Sequence, residues 1–420
     1  MKSMLFAMTA TTALTALPAF AVERAEVLDT YANIAAAGYA DSLTTAQALQ
    51  TAVGALLDQP SEAALQAART AWIAARVPYM QTEAYRFGNA IVDDWEGRVN
   101  AWPLDEGLID YVDATYGGAT DENEFAVLNV VANPSFTLSG EEVDASAITP
   151  ALLQDTLQEA DGVEANVATG YHAVEFLLWG QDLNGTDAGA GDRPWTDYAA
   201  GDDCTNGNCD RRGDYLRAVT DLLVTDLDEM AAAWADGGAA RTAVLADETA
   251  GISAMLTGMG SLSYGELAGQ RMKLGVMMND PEEEHDCFSD NTHMSHYYDG
   301  LGVQNVYLGS YTRVDGSTVS GPSLSDLVAQ ADPAIDAQLK TELEASVAAL
   351  AVIRDKAEAG MAYDQMLARD NTEGEALVMG AVDALVIQTR SIERAVAALD
   401  LNGIAVEGSD SLDNPNAVFQ

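Results

Sequence analysis

The chain has 420 residues, of which 48% are hydrophobic, enough for large cores in about two domains of ordinary size. Only 20 lysines and arginines stand against 66 aspartates and glutamates, so the formal net charge is −46. This charge repels polyanions and argues against nucleic acid or anionic lipid as a partner. An acidic surface can concentrate cations, but it is more often a solvated surface that keeps a protein soluble in salty water.

The first 21 residues have the features of a secretory signal peptide. Lys2 precedes an apolar run over residues 4–17, and the pattern Ala19-Phe20-Ala21 offers a cleavage site after Ala21. The run is too short for a membrane span, and no later segment reaches about 18 uninterrupted apolar residues. No cysteine lies nearby to carry a lipid. We therefore predict an exported protein of the periplasm or cell envelope that does not span the membrane.

Helical spacing of apolar residues dominates the rest of the chain. Ala, Leu, Gln, Glu and Met are frequent, whereas the alternating β-branched residues of strands are scarce. The pattern predicts an all-α fold of two packed, four-helix-bundle-like domains. The predicted helices are Arg24–Leu57, Glu62–Asp93, Pro150–Gly180, Tyr215–Trp234, Thr242–Met278, Ile335–Gly360 and Gly374–Leu399.

Two long irregular segments interrupt this pattern, at residues 181–213 and 279–322. Loops of this length usually have a function or link two units. With a short glycine-containing break near residue 237, the layout predicts an N-terminal bundle over residues 22–236 and a C-terminal bundle over 237–420. The second bundle contains a histidine-rich loop at 282–299.

Three cysteines are present. Cys204 and Cys209 lie in GDDCTNGNCDRRGD, a Gly/Asn/Asp-rich loop that can bend sharply, and an exported protein meets oxidising conditions. We predict a disulfide between them. Cys287 is left over and is interpreted as a buried thiol, with a soft metal ligand as the alternative.

The string TGYHAVEFLLWG places one histidine and one carboxylate in an apolar run. If it is helical, His172 and Glu175 lie three residues apart on one face. A neutral imidazole and a carboxylate suit zinc, iron or manganese, and facing helices of bundles often pool such ligands. The alternative is a hydrogen-bonded pair in the core without chemistry.

The predicted second helix carries a polar stripe of Arg76, Tyr79, Glu83 and Arg86 among large aromatic residues. Glu83 can complete a ligand set, with Arg76 and Tyr79 orienting it. The alternative is a solvated face with a Glu83–Arg86 pair. In AWPLDEGLIDY, Asp105 is either a further ligand or a helix N-cap.

A hydrolytic function has little support in the motifs. No H-E-x-x-H string occurs, and the inverted H-x-x-E-H form fails because Phe176 stands where its second histidine must be. No G-x-S-x-G elbow supplies a serine nucleophile.

A second candidate metal site lies in EEEHDCFSDNTHMSHYYD, which holds three of the four histidines, His285, His293 and His296. Such clustering beside several carboxylates favours metal binding, although the spacing matches no zinc motif. The alternative is a loop whose polar side chains satisfy backbone groups.

Several long strings resemble the imelysin family. GYHAVEFLLWGQDLNG is similar to its G-x-H-x-x-E signature, at Gly170, His172 and Glu175, and WIAARVPYMQTEAYRFGN, VNAWPLDEGLIDYV and HDCFSDNTH resemble the iron-regulated protein A branch. The resemblance covers most of the chain after the first 21 residues. It implies an exported, all-helical, two-domain protein, often regulated by iron and related to a domain of a ferrous-iron uptake component. The family name refers to a metallopeptidase.

These observations together predict a periplasmic metal-binding protein that serves iron acquisition. The expected ion is iron, with zinc as the alternative, and the expected ligands are His172 and Glu175 with contributions from Glu83 and Asp105. The partners would be a metal ion or an iron chelate and an envelope iron-transport component. A metallopeptidase and a structural or partner-binding envelope protein are the competing hypotheses.

Overall fold

The computed structural model describes residues 21–120, 123–402 and 404–419, so the predicted signal peptide lies almost entirely outside the described residues. Helices dominate the described chain, which confirms the predicted all-α fold. The α-helices are α1 Arg24–Asp58, α2 Glu62–Met80, α3 Ala90–Glu96, α4 Glu106–Ile109, α5 Pro150–Leu152, α6 Gly170–Trp179, α7 Cys209–Trp234, α8 Ala239–Leu245, α9 Glu248–Ser261, α10 Leu274–Met278, α11 Thr292–Leu308, α12 Leu324–Ala331, α13 Pro333–Glu358, α14 Tyr363–Leu367, α15 Thr372–Ala398 and α16 Asp410–Asp413.

Shorter elements fill the connections. β1 Ser135–Leu138 pairs with β2 Glu141–Asp144, and β3 Ser310–Thr312 pairs with β4 Thr318–Ser320, both antiparallel. Strands of three or four residues are too short to show a clear alternation, so the sequence did not predict them. The π-helical segments are Leu153–Leu157 and Leu262–Lys273, and the 3₁₀ segments are Glu83–Tyr85, Ala160–Gly162, Trp195–Tyr198, Gly201–Asp203, Pro281–Glu283, Cys287–Ser289 and Ala417–Phe419.

The long helices pack in two groups. In the first, α1 lies against α2 and α7, and α6 packs on α2 and α7. In the second, α13 packs on α11 and α15, and the π-helical segment Leu262–Lys273 packs on α15. Helix α11 also contacts α2, and α9, which packs on α15, contacts α1, so the two groups are in contact. The predicted division near residue 237 stays a prediction.

The predicted helix Glu62–Asp93 is shorter in the structure. Helix α2 ends at Met80, two residues after Pro78, which has no N–H for a helical hydrogen bond. A 3₁₀ turn follows, and Gly88 with a φ of 83° separates it from α3. The helical phase that would align Glu83 with Arg76 is therefore lost.

The predicted helix Pro150–Gly180 is also broken. Glu159 and Asp161 adopt left-handed φ values of 52° and 62°, and a continuous helix cannot include them. Helix α6 begins only at Gly170. The motif residues thus lie at the start of a short buried helix.

Helix α11 lies inside residues 279–322, which were predicted to be irregular. Its glycines look like loop residues, but they allow close packing. A Cβ on Gly302 would lie 2.6 Å from the carbonyl oxygen of Gln81, and one on Gly300 would lie 2.4 Å from the Leu350 side chain. These two glycines therefore allow close contacts between α11 and its neighbours.

A disulfide joins Cys204 to Cys209 just before α7, and Cys287 is buried and unbonded. Of the helices in the described ranges, none is both long and apolar enough to cross a membrane.

Candidate metal centre

Helix α6 carries His172 and Glu175 and is buried along its whole length. Its first residue, Gly170, has a φ of 80°, which glycine adopts more readily than any other residue. A Cβ here would lie 2.4 Å from the carbonyl oxygen of Val99, and the Tyr171 N–H donates to that oxygen at 2.8 Å. The glycine of the motif therefore allows α6 to begin directly against the Val99 backbone.

His172 and Glu175 form a buried hydrogen-bonded pair, with 3.1 Å between His172 Nδ1 and Glu175 Oε2. Glu175 Oε1 accepts hydrogen bonds from the backbone N–H and the hydroxyl of Ser289, at 3.0 and 2.7 Å. Burial, with Arg76 nearby, lowers the pKa of His172 to about 3, so its imidazole is neutral. Burial and the charge of Asp286 raise the pKa of Glu175.

The other ring nitrogen, His172 Nε2, is buried without a hydrogen-bond partner among the described residues. Such atoms are uncommon, because leaving a buried polar group unpaired costs about 1–3 kcal/mol. In the tautomer that has its proton on Nδ1 and donates it to Glu175, Nε2 presents a lone pair. Metal-ligating histidines are commonly held by a carboxylate in this way.

The loop from residue 284 to 291 brings His285 and Asp286 to this pair. The ring centroids of His172 and His285 are 4.7 Å apart, and Asp286 Oδ1 lies 3.8 Å from His172 Nδ1. One candidate ligand atom from each of the three residues lies within 4.8 Å of the other two. Burial lowers the pKa of His285, so this imidazole is neutral as well.

Asp286 is held in place by charge and by hydrogen bonds. Arg76 Nη2 donates to its Oδ1 at 2.8 Å, while Asn291 Nδ2, at 3.1 Å, and the Ser295 hydroxyl donate to its Oδ2. Burial opposes ionisation, but Arg76 brings the pKa of Asp286 below its ordinary value. The carboxylate is therefore ionised and oriented.

Arg76 also links Asp286 to the segment that contacts His285. Its Nη1 donates to Asn100 Oδ1 at 2.6 Å, and Asn100 Nδ2 lies 3.3 Å from His285 Nε2. The Trp102 ring lies 5.0 Å from the His172 ring, centroid to centroid. Helix α2 and the segment after α3 thus position the imidazoles from one side.

A cavity of about 510 Å³ leads to the centre. Asn100, Trp102 and His285 are in its wall, beside two arginines and several carboxylates. The carboxylates are Glu96, Glu159, Glu164, Glu266 and Glu283. A cation can therefore approach His285 along a predominantly acidic wall.

The sequence profile of the family described as Imelysin matches residues 35–392, a range that includes α6 and the loop with His285. The chain belongs to the imelysin family. The match confirms the resemblance identified from the motifs.

Two relatives carry names related to iron. The iron-regulated protein A of Synechococcus elongatus (strain ATCC 33912 / PCC 7942 / FACHB-805) is 39% identical over 83 residues, which cover 20% of this chain and 21% of that relative. The crystal structure of a candidate iron-regulated protein A precursor from Parabacteroides distasonis ATCC 8503 has a TM-score of 0.62 and 18% identity, covering 89% of this chain and 96% of that one. This second likeness concerns the fold alone.

In this imelysin-family chain, the structure does not bring the other two predicted ligands into the group with His172. Glu83 Oε2 accepts from Arg271 Nη2 at 2.9 Å, because the end of α2 turns Glu83 toward the π-helical segment. Asp105 occupies the N-cap position of α4, where Tyr116 and Asn123 donate to its carboxylate.

The remaining predicted residues are divided. Arg76 orients Asp286, whereas Tyr79 packs against Tyr171, with 4.8 Å between ring centroids. Of the predicted second site, only His285 joins a three-ligand group in the described part of the chain. His293 and His296 are on α11, and the His296 ring packs on Tyr363.

Asp286, Asn100 and Ser289 were not identified as site residues from the sequence. Asp286 directly follows His285 in an acidic, histidine-containing string, which was the available signal. Asn100 and Ser289 had none, because each acts through a residue distant in the sequence.

The donor atoms of this imelysin-family site fit a transition metal. Two neutral imidazoles and one ionised carboxylate suit iron, manganese or zinc. His172, His285 and Asp286 would hold the ion, and Glu175 would orient His172. Asp286 would share its charge between the ion and Arg76.

Proposed function

We propose that this protein binds iron at His172, His285 and Asp286 and serves iron acquisition in the periplasm or cell envelope. The observation that carries the proposal is His172 Nε2, which is buried without a hydrogen-bond partner in the described chain while Glu175 contacts the other ring nitrogen. One candidate ligand atom each from His172, His285 and Asp286 lies within 4.8 Å of the other two. In this arrangement Glu175 orients a ligand and is not itself one.

The surroundings support a cation as the bound species. The cavity that reaches His285 is lined by five glutamates and two arginines, and its volume of about 510 Å³ admits a hydrated ion or a small iron chelate. The net charge of −46 also favours cations over anions near the surface. Iron is chosen over zinc because both relatives above are named for regulation by iron.

The location and partner belong to the same proposal. The apolar N-terminal run with its cleavage pattern and the Cys204–Cys209 disulfide both suit an exported protein. An envelope iron-transport component would then receive the ion. The site supports capture and delivery because its ligands come from a buried centre with an acidic approach.

The test is calorimetric titration of the metal-free protein with Fe²⁺ under anaerobic conditions and with Zn²⁺. His172→Ala, His285→Ala and Asp286→Asn should each weaken binding at least tenfold, since loss of a ligand costs no less than the roughly 10–100-fold typical of residues that orient ligands. His293→Ala is the matched control, because His293 lies in the same histidine-rich segment outside the three-ligand group.

Unchanged affinity in His172→Ala together with loss of binding in His293→Ala would place the ion at the histidines of α11 and refute the proposed site. Wild-type protein that binds neither ion would favour a structural or partner-binding role. Metal analysis of protein from its native compartment should find iron.

A further inference from the structure

A second group of carboxylates lies apart from the histidines. Asp182 follows α6, Asp290 is in the loop from residue 284 to 291, and Asp364 is in α14. One carboxylate oxygen from each lies within 4.8 Å of the other two. Asp182 Oδ1 is oriented by the backbone N–H and the side-chain amide of Asn184, at 2.9 and 2.8 Å.

Buried oxygens of this group lack partners. Asp364 is 1% exposed, and neither of its carboxylate oxygens has a hydrogen-bond partner in the described chain. Asp290 Oδ1 and, on the adjoining Glu284, Oε2 are likewise buried and unpartnered. No lysine, arginine or histidine of the described residues forms an ion pair with any of the four.

Carboxylates in this arrangement repel each other. Burial, with the neighbouring acids, raises the pKa of Asp364 to about 6 and that of Asp290 to about 7. Each ionised member of this group destabilises the folded protein unless a positive charge lies nearby. A bound cation would supply that charge.

We propose that Asp182, Asp290 and Asp364 bind a calcium ion, with Glu284 adding charge beside it. Sets of oxygen ligands alone suit hard cations, and calcium accepts irregular carboxylate geometries with oxygens at about 2.3–2.6 Å. A shell of that size is about 5 Å across and spans oxygens up to 4.8 Å apart. Water and backbone carbonyls complete such shells.

This ion would stabilise the loop that builds the proposed iron centre. Asp290 is at one end of the loop that carries His285, Asp286 and Ser289, and Ser289 donates two hydrogen bonds to Glu175. Asp182 precedes this loop in the sequence and Asp364 follows it, each by more than 70 residues. Calcium would therefore join three segments and restrict the loop without touching the imidazoles.

The test uses the full chain, stripped of metal with a chelator and titrated calorimetrically with Ca²⁺. The wild type should bind with a dissociation constant below about 1 mM, and the ion should raise its melting temperature. Asp364→Asn and Asp290→Asn should each weaken binding at least tenfold. Asp203→Asn, at an exposed acid of another loop, and His172→Ala should bind calcium like the wild type.

Thermal melts in chelator provide a second measurement, in which the variants that lose calcium binding should not lose stability. Removing a repelling charge should leave Asp364→Asn no less stable than the metal-free wild type, while calcium no longer raises its melting temperature. If Asp364→Asn does not fold, the same measurements on Asp290→Asn, at a half-buried position, test the site. A wild type that ignores calcium, carboxamide variants that bind it normally, or a site that takes only Mg²⁺ or Mn²⁺ would overturn the proposal. Because His172→Ala removes a proposed iron ligand and no proposed calcium ligand, a failure of the calcium proposal can be distinguished from a failure of the iron proposal.

Discussion

His172 and His296 both have buried ring nitrogens without a hydrogen-bond partner among the residues that the structure describes, and the difference between their surroundings shows which of them is the better metal ligand. His296 packs its ring on Tyr363, with 4.9 Å between centroids, and belongs to no three-ligand group of the described chain. His172 has Glu175 on its other nitrogen and Asp286 and His285 nearby. The surrounding acceptors and donors therefore favour His172 as the metal ligand.

Gly170 should tolerate no side chain. We expect Gly170→Ala to lower the free energy of unfolding by about 2–4 kcal/mol, because φ is 80° and the new Cβ would meet the Val99 carbonyl oxygen at 2.4 Å. Urea unfolding followed by circular dichroism measures the change. Gly380→Ala is the control: Gly380 is exposed within α15, a Cβ there meets nothing within 4 Å, and the substitution should stabilise by about 0.5–1 kcal/mol. Equal effects of the two substitutions would contradict this account of the motif.

The zinc-loaded protein should not cleave peptides. A catalytic zinc needs a water and a nearby general base, yet both oxygens of Glu175 are engaged, by His172 and by Ser289. Asp286 is held by Arg76 and is equally unavailable as a base. Unfolded insulin chains incubated with the protein and followed by mass spectrometry provide the test. Cleavage that disappears in both His172→Ala and Glu175→Gln would show that the site is a peptidase centre.

At the level of elements, a buried ion-pair network ties α7 to the segments that follow α4 and α6. Asp110, which follows α4, accepts from Arg193 Nη1 at 2.7 Å and from Arg212 Nε at 2.5 Å. All three side chains are at most 1% exposed. Because Arg193 lies in the loop after α6 and Arg212 belongs to α7, this carboxylate connects that loop to α7.

Asp110→Ala should therefore destabilise the protein strongly. Removing one partner of a buried pair leaves uncompensated charge and costs about 3–5 kcal/mol. Chemical denaturation should show this loss. Asp58→Ala removes a 77% exposed carboxylate that lies 3.8 Å from Arg217, and it should change stability by less than about 1 kcal/mol. A small effect of Asp110→Ala would mean that water replaces the carboxylate.

For the whole molecule, the acidic composition extends into the interior. Burial raises the pKa of Asp226 to about 6, and burial with Glu83 raises that of Glu96 to about 7. In the unfolded chain these groups titrate near pH 4. Between these values the folded state binds more protons than the unfolded state, so its stability falls as pH rises through the window from about 4 to 7.

Asp226 and Glu96 should consequently contribute less to the stability of the metal-free protein at about pH 8 than at about pH 5.5, which urea titrations of variants in chelator would measure. Asp226→Asn should raise the unfolding free energy at the higher pH by about 1–2 kcal/mol and have a smaller effect near pH 5, since Asp226 is then largely protonated. Glu344→Gln, at an exposed acid of α13, should not alter the pH dependence. A pH dependence of Asp226→Asn equal to that of the wild type would be incompatible with the raised pKa of Asp226.

Periodicity alone predicted α1, α13 and α15 well, whereas the predicted helix Thr242–Met278 is divided among α8, α9, a π-helical segment and α10. α1 ends one residue beyond its predicted limit, and α13 and α15 match their predictions within two residues at each end. These helices carry many good helix formers and few interruptions, so local preference and packing agree. The predicted helices Glu62–Asp93 and Pro150–Gly180 failed because residues with positive φ, such as Gly88 and Glu159, break the chain where composition remained helical.

The sequence by itself determined the helical class, the family motif and the His172–Glu175 pair, because these depend on residues close together along the chain. Only the tertiary structure decided which distant residues join them. Asp286 and His285 reach His172 across more than 100 residues through a loop held by Arg76, and the end of α2 diverts Glu83 to Arg271. Ligand sets of this kind depend on packing between elements, and periodicity within one element carries no information about that packing.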